Sequence, residues 1–215
     1  KFLSGKKNVF YKDTQIRSFI KIIFFSIIIL FFYLIAMNKG LADIGLRSIS
    51  FNTISILTGT GYVTDGFDNW GSFALIYFLI LMFIGGCAGS TTCGIKIFRV
   101  QILYLFLKNQ LKKIIFPRGI FILKYDNNII NEKFLSSIIS FIFLYILIFF
   151  FITALLSLTE LDFVTSISGA ATSISNVGPG LGSIIGPDGN FGQLPNASKW
   201  ILSIGMLLGR LELFA

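Results

Sequence analysis

The sequence predicts an all-α membrane protein built from two copies of one unit: a span, a short helix that stops at mid-depth, a glycine-centred loop, and a second span. Three observations carry this. Apolar residues make up 54% of the 215 residues and charged residues only 13%, a balance foreign to soluble domains. Two glycine-centred loops, Thr58-Gly59-Thr60-Gly61-Tyr62 and Ser175-Asn176-Val177-Gly178-Pro179-Gly180, each follow an apolar segment too short to cross a bilayer and precede a longer one. The basic residues are also grouped, with fourteen of the eighteen in two regions.

The first span is expected from about Ile16 to Met37, since about twenty apolar residues cross the hydrocarbon. Lys1, Lys6, Lys7, Lys12, Arg17 and Lys21 precede or open it, and the positive-inside rule puts that end in the cytoplasm. Ile44 to Leu57 is too short to span, and Asp43 is its expected N-cap. Such a helix, entering from outside, points the negative end of its dipole inward. The first glycine loop follows. The polar stretch Thr64–Asn69 then returns the chain to the outer surface, where Trp70 is expected as an interfacial anchor.

Phe73 to Ile84 starts back through the membrane and meets the small-residue run Gly85–Gly94, after which helix is expected from Ile95 to Leu107. One straight helix from Trp70 to Leu107 would be about 57 Å long, nearly twice the hydrocarbon thickness, so a break is expected. The segment Lys108 to Lys133 is basic, with Lys96, Arg99, Lys108, Lys112, Lys113, Arg118, Lys124 and Lys133 in or beside it, and Asp126-Asn127 reads as the turn of a short hairpin. The pattern then repeats. Phe134 to Leu158 spans outward, Asp162 caps a short helix from Phe163 to Ile174, the second glycine loop follows, and Ser198 and Trp200 open an inward helix. Aligning the halves sets Thr58 over Ser175 and Gly61 over Gly178. The domains expected are 1–110, a basic cytoplasmic loop 111–133, and 134–215. The chain starts without methionine and stops inside an apolar run, the pattern of a fragment.

Several functions are disfavoured. Histidine is absent, which removes the usual general base and commonest metal ligand. The ten acidic residues form no catalytic pair. Cys87 and Cys93 fit no common zinc spacing and read as small packing residues. Bilayer topology accounts for the basic clusters without nucleic acid.

Backbone turns irregular at membrane depth only where protein buries it or water lines it. Two such places suggest a pore lined by carbonyl oxygens, which replace the hydration shell of a potassium ion. Glycine adopts the required backbone angles without a clash, so Gly61 and Gly178 suit that role, and Thr58, Thr60 and Ser175 offer hydroxyl oxygens. Ordinary glycine-rich turns are the bland alternative, weakened by the matching positions.

These residues carry a family resemblance. The two loops, the run Gly85-Gly86-Cys87-Ala88-Gly89-Ser90-Thr91, Pro117 with its basic neighbours, and Met206-Leu207-Leu208-Gly209-Arg210-Leu211-Glu212 resemble the C-terminal half of the bacterial TrkH/TrkG/KtrB potassium-uptake subunits. The resemblance implies four span–pore helix–filter loop–span units around one pore, of which this chain holds what look like the third and fourth. It implies potassium translocation through a filter formed by Thr58, Gly59, Thr60, Gly61, Tyr62, Ser175, Asn176, Val177 and Gly178. The ion would be held by the backbone of Thr58, Gly59, Thr60, Ser175, Asn176 and Val177. It also implies a gate formed by Gly85, Gly86, Gly89, Ser90, Thr91, Gly94 and Arg210. Gly85 and Gly89 equally form a small-xxx-small packing pair. Arg210 sits near mid-depth, where a charge is functional by default; pairing with Glu212 or snorkelling is its bland alternative.

The function implied is that of the potassium-translocating subunit of an uptake system in the inner or plasma membrane, not an enzyme. No cofactor is implied, potassium being the substrate. The partners implied are the bilayer, a second copy in a homodimer and a cytosolic nucleotide-binding regulatory subunit, with no nucleic acid. The alternatives are a sodium or non-selective cation transporter of the same superfamily, a piece of a tetrameric-type channel, whose Thr-Val-Gly-Tyr-Gly is absent, and a non-conducting scaffold.

Overall fold

The computed structural model describes residues 13–37, 41–119, 121–126 and 128–211. Among these lie seven α-helices: α1 (Thr14–Ala36), α2 (Leu41–Leu57), α3 (Ser72–Phe83), α4 (Ile97–Ile115), α5 (Glu132–Ser157), α6 (Phe163–Ser175) and α7 (Asn196–Arg210). Short 3-10 turns occupy Phe67–Trp70 and Phe191–Gln193. The two-residue strands β1 (Lys124–Tyr125) and β2 (Asn128–Ile129) pair antiparallel, as the Asp126-Asn127 turn predicts; Ile120 and Asn127 themselves lie outside the described residues, as do Lys1, Lys6, Lys7 and Lys12. Two helices, α1 and α5, are long and apolar enough to cross a membrane.

Each unit begins with one of these long helices and folds a short one against it. α1 packs on α2 and α5 on α6, and α7 closes the second unit against α6. Asp13 caps α1 by accepting the amides of Gln15 and Ile16, and Asp162 caps α6 by accepting that of Thr165. The first short helix departs from expectation at its start. Gly45, at φ 59° and ψ 143°, interrupts α2, so the regular helix begins after it. Asp43 precedes this break, and its side chain lies outside the described residues. Measured from Gly45, the two short helices are matched in length.

Two further expectations change. α4 continues to Ile115 instead of stopping near Leu107, so Lys108, Lys112 and Lys113 are helical. Pro117 ends it, because proline disfavours helical angles at the preceding residue; Phe116 sits at φ −123° and ψ 79°. Trp70 is not an interfacial anchor: it is buried against Phe67 and Phe78, with ring centroids 6.4 and 5.8 Å away. Trp200 is exposed, as an anchor should be.

The units meet through α3 and α6, and through Phe83, whose ring stands edge-on to Phe149 on α5 at 5.0 Å. Leu30 and Leu34 of α1, Ile49 and Ile56 of α2, and Ala170 and Ala171 of α6 are all fully or nearly fully buried in one continuous core. That core presses both glycine loops together at the free ends of α2 and α6. Lys96 and Arg99, counted with the basic loop from sequence, are instead buried, with Arg99 stacked 3.7 Å over Phe141.

Candidate functional site: two glycine loops over a helix break

At the end of α2, the amide of Gly59 donates to Ile56 O at 3.1 Å, that of Thr60 to Ser55 O at 2.9 Å, and that of Gly61 to Ser55 O at 3.4 Å. At the end of α6, Asn176 N donates to Ser173 O at 3.3 Å and Val177 N to Thr172 O at 3.2 Å. Gly178 N donates to the Thr172 hydroxyl at 3.0 Å. Residue for residue, at one constant spacing along the chain, the loops are copies. The backbone twists match too: Gly59 (φ 63°) corresponds to Asn176 (φ 52°), and Gly61 (φ 76°) to Gly178 (φ 118°). Asparagine tolerates the left-handed region better than other side chains, which is why the second loop needs one glycine fewer there.

A trans peptide points its N–H and C=O in opposite directions. Three successive amides of each loop turn back into the short helix. The carbonyls of those same peptides therefore turn away from it: Thr58, Gly59 and Thr60 in one loop, Ser175, Asn176 and Val177 in the other. The Val177 carbonyl faces Gly61 so closely that a methyl at Gly61 would run into it, and a methyl at Gly178 would sit 3.3 Å from Gly61 Cα. The helix ends add their partial negative charge on the same side. Such an arrangement favours a desolvated cation. Tyr62 is 70% exposed and lies with Gly61, Gly178 and Pro179 around a recess of about 360 Å³.

The three hydroxyls differ in their surroundings. Thr58 Oγ1 donates to Ile54 O at 2.7 Å and lies 2.7 Å from Thr60 Oγ1, so both stay near the loop. Ser175 Oγ instead bonds the buried Tyr145 hydroxyl on α5 at 2.7 Å; it holds the loop from behind and is not a free oxygen for an ion. The Asn176 side chain donates to Met206 O on α7 at 3.0 Å. Tyr145, Thr172 and Ser168, whose hydroxyl accepts from Leu181 N and donates to Leu181 O, were not singled out from sequence. Nor was Asn52, which accepts from Thr64 N at 3.1 Å.

The run Gly85–Gly94 is a closed loop, not a straight helix. Its neck is fastened by Gly85 N to Ile95 O at 3.0 Å, Ile95 N to Phe83 O at 2.9 Å and Ile97 N to Gly86 O at 3.2 Å. Within it, Gly86 N donates to Thr92 Oγ1 at 3.0 Å and the Ser90 hydroxyl to Cys87 O at 2.7 Å. Gly89 and Gly94 turn the chain at φ 83°. The loop reaches in two directions. Ala88 N donates to Gln15 Oε1 at the start of α1, 2.8 Å away, whereas a methyl at Gly59 would touch Thr92 Cγ2 at 3.5 Å. Arg210, at the end of α7, donates to Thr91 O at 2.5 Å and approaches Cys93 Sγ at 3.9 Å. Glu212, its alternative partner, lies outside the described residues. The break, the first glycine loop and Arg210 thus converge.

Residues 6–215 match the family described as TrkH, cation transport protein. The chain is 40% identical over 218 residues to the Trk system potassium uptake protein TrkI of Halomonas elongata, covering 99% of this chain and 43% of that protein. It is 32% identical over 206 residues to the Trk system potassium uptake protein TrkH of Vibrio parahaemolyticus, covering 95% of this chain and 42% of that protein. The crystal structure of the potassium transporter TrkH from Vibrio parahaemolyticus superposes with a TM-score of 0.89 at 32% identity, over 99% of this chain and 46% of that one. The chain spans less than half the length of these relatives.

Proposed function

We propose, because the chain belongs to the TrkH family of cation transport proteins, that it forms half of a potassium pathway across a membrane. The observation that carries this reading is the duplicated set of inward-turned amides, which leaves two matched rows of carbonyls meeting at Gly61 and Gly178. Thr58, Gly59, Thr60, Ser175, Asn176 and Val177 supply those oxygens, and further loops of the same kind, from chain beyond these units, complete the ring.

The loop Gly85–Gly94 is the gate and Arg210 its latch. The positive charge raises the barrier to a cation just past the filter, and its hydrogen bond keeps the loop in place. The start of α1 and the basic segment around α4 face the cytoplasm, and the glycine loops face outward, in keeping with the distribution of lysine and arginine. The Trk system names of the relatives support work alongside other subunits; the partners proposed are a second copy and a cytosolic nucleotide-binding subunit. The proposed division is one unit over 1–110, a basic loop over 111–133 and the second unit over 134–215.

The test is uptake by vesicles containing a full-length subunit with this sequence, with potassium and sodium in competition. Potassium flux that sodium barely inhibits is the expected result. Inserted, folded protein with no cation flux would sink the reading.

A further inference from the structure

The two glycine loops are copies in backbone, but one hydrogen bond differs. Gly178 N donates to the side-chain hydroxyl of Thr172 at 3.0 Å. Its counterpart Gly61 N reaches only the Ser55 carbonyl, at 3.4 Å, and shares that oxygen with Thr60 N. Ser55 occupies the place of Thr172, yet its hydroxyl is buried with no partner among the described residues. Thr172 is itself 1% exposed, so water does not compete for its hydroxyl.

We propose that Thr172 is a specificity-determining positioning residue: by accepting Gly178 N–H, it holds the Val177 carbonyl toward the ion path. This rests on the filter reading above. The argument is geometric. Val177 C=O and Gly178 N–H belong to one planar trans peptide, so fixing the direction of the amide fixes that of the carbonyl. Val177 O faces Gly61 of the opposite loop, the direction this bond requires. Glycine at φ 118° offers no steric resistance to rotation of that peptide, so the hydroxyl supplies the restraint that a side chain at 178 cannot. Ser168 on Leu181 and Tyr145 on Ser175 pin the same loop further along and behind, which leaves the Val177–Gly178 peptide as the part that depends on Thr172. Among the described residues the first-unit loop has no such side-chain restraint at its glycine, so the two carbonyl rows are not equivalent: the 177 carbonyl is held and the 60 carbonyl is looser.

The experiment is potassium uptake by the full-length transporter in vesicles, with sodium as competitor, for Thr172→Val, Thr172→Ser, Ser55→Ala and Gly178→Ala, each normalised to inserted protein. Valine keeps the shape of threonine and removes the acceptor; serine keeps the acceptor. Thr172→Val is expected to lower potassium-over-sodium discrimination about two- to tenfold, the range of one hydrogen bond, and Thr172→Ser to retain it. Ser55→Ala is expected to shift discrimination less, because its hydroxyl holds no amide. Equal shifts for Ser55→Ala and Thr172→Val would assign the effect to packing and overturn the proposal. Unchanged discrimination in Thr172→Val with altered discrimination in Gly178→Ala overturns it while leaving the filter intact. Unchanged discrimination in both removes the filter reading itself. If the valine variant does not insert, Thr172→Cys takes its place: sulfur is a weak acceptor, and wild-type discrimination there overturns the proposal.

Discussion

Arg210 donates from its guanidinium to the carbonyl oxygen of Thr91, joining the end of α7 to the loop that breaks the first unit's second span. The bond gives one residue two roles. In the proposed reading its charge opposes a passing cation, while its hydrogen bond holds the Gly85–Gly94 loop. A guanidinium is suited to this, since it stays charged and offers several donors in a fixed fork.

Arg210→Ala should therefore raise basal cation flux, since it removes both the charge and the tether. A hydrogen bond from a charged donor is worth about 1.5–3 kcal/mol when well buried. Arg210 is exposed among the described residues, so solvent screening cuts this to about 1 kcal/mol and a rise of about fivefold is expected. Arg210→Lys keeps the charge and loses the fork, so it should fall between the two. Flux at matched protein levels checks this. If alanine and lysine variants are equally poor and poorly folded, the residue is a structural strut and the latch is wrong.

The loop Gly85–Gly94 is held at its neck by backbone bonds and at its tip by Gln15. Removing Ala88 and Gly89 takes away the tip contact and leaves the neck. A gate loop shortened in this way should leak, with higher flux per inserted protein. A loop that merely packs helices should give less folded protein and no extra flux. Measuring both quantities on the same vesicles separates the two.

How much of this was legible from sequence depended on whether the residue type itself carried the constraint. Gly61 and Gly178 were legible because a left-handed backbone in an apolar context calls for glycine. Asn176 was legible only by alignment with Gly59, since asparagine has many other uses. Thr172, Ser168 and Tyr145 were not legible: a hydroxyl on an apolar helix looks the same whether it packs or accepts an amide. Trp70 was misplaced because a tryptophan beside polar residues suits an interface and a core equally well. The bond from Arg210 to Thr91 left no trace, because its acceptor is a backbone carbonyl that any residue supplies.

Of the two glycines in the first loop, Gly61 should tolerate less. A methyl there meets the Val177 carbonyl and must also adopt φ 76°. At Gly59 the methyl finds only ordinary contact with Thr92 at 3.5 Å, and the cost is the left-handed backbone alone, about 1–2 kcal/mol. Gly61→Ala is thus expected to lose potassium-over-sodium discrimination by more than Gly59→Ala does. Uptake competition for both variants tests the order. A reversed order would mean that the loops do not face each other as described.

The outer connections carry a titration that should be measurable. Asp68, in the 3-10 turn before α3, has its carboxyl pushed up to about 6, chiefly by burial. The Gly182 amide pulls the value down and nearby Asp188 pushes it up again. One carboxylate oxygen, Oδ1, is buried without a partner among the described residues, and Gly186 packs so closely on Oδ2 that a methyl there would displace it. The folded state therefore binds this proton more tightly than the unfolded chain, whose carboxyl titrates near 3.8. Stability from this group is full below about pH 4 and is lost as the pH rises through about 6. Asp68→Asn keeps an oxygen for the Gly182 amide and removes the charge. It should melt at a higher temperature than wild type at pH 7–8, with the difference shrinking as the pH falls toward 4. Melting curves of the purified full-length protein across that range give the result. A variant less stable than wild type at pH 8 would show that the ionised carboxylate holds the two outer connections together, and the sign argued here would be wrong.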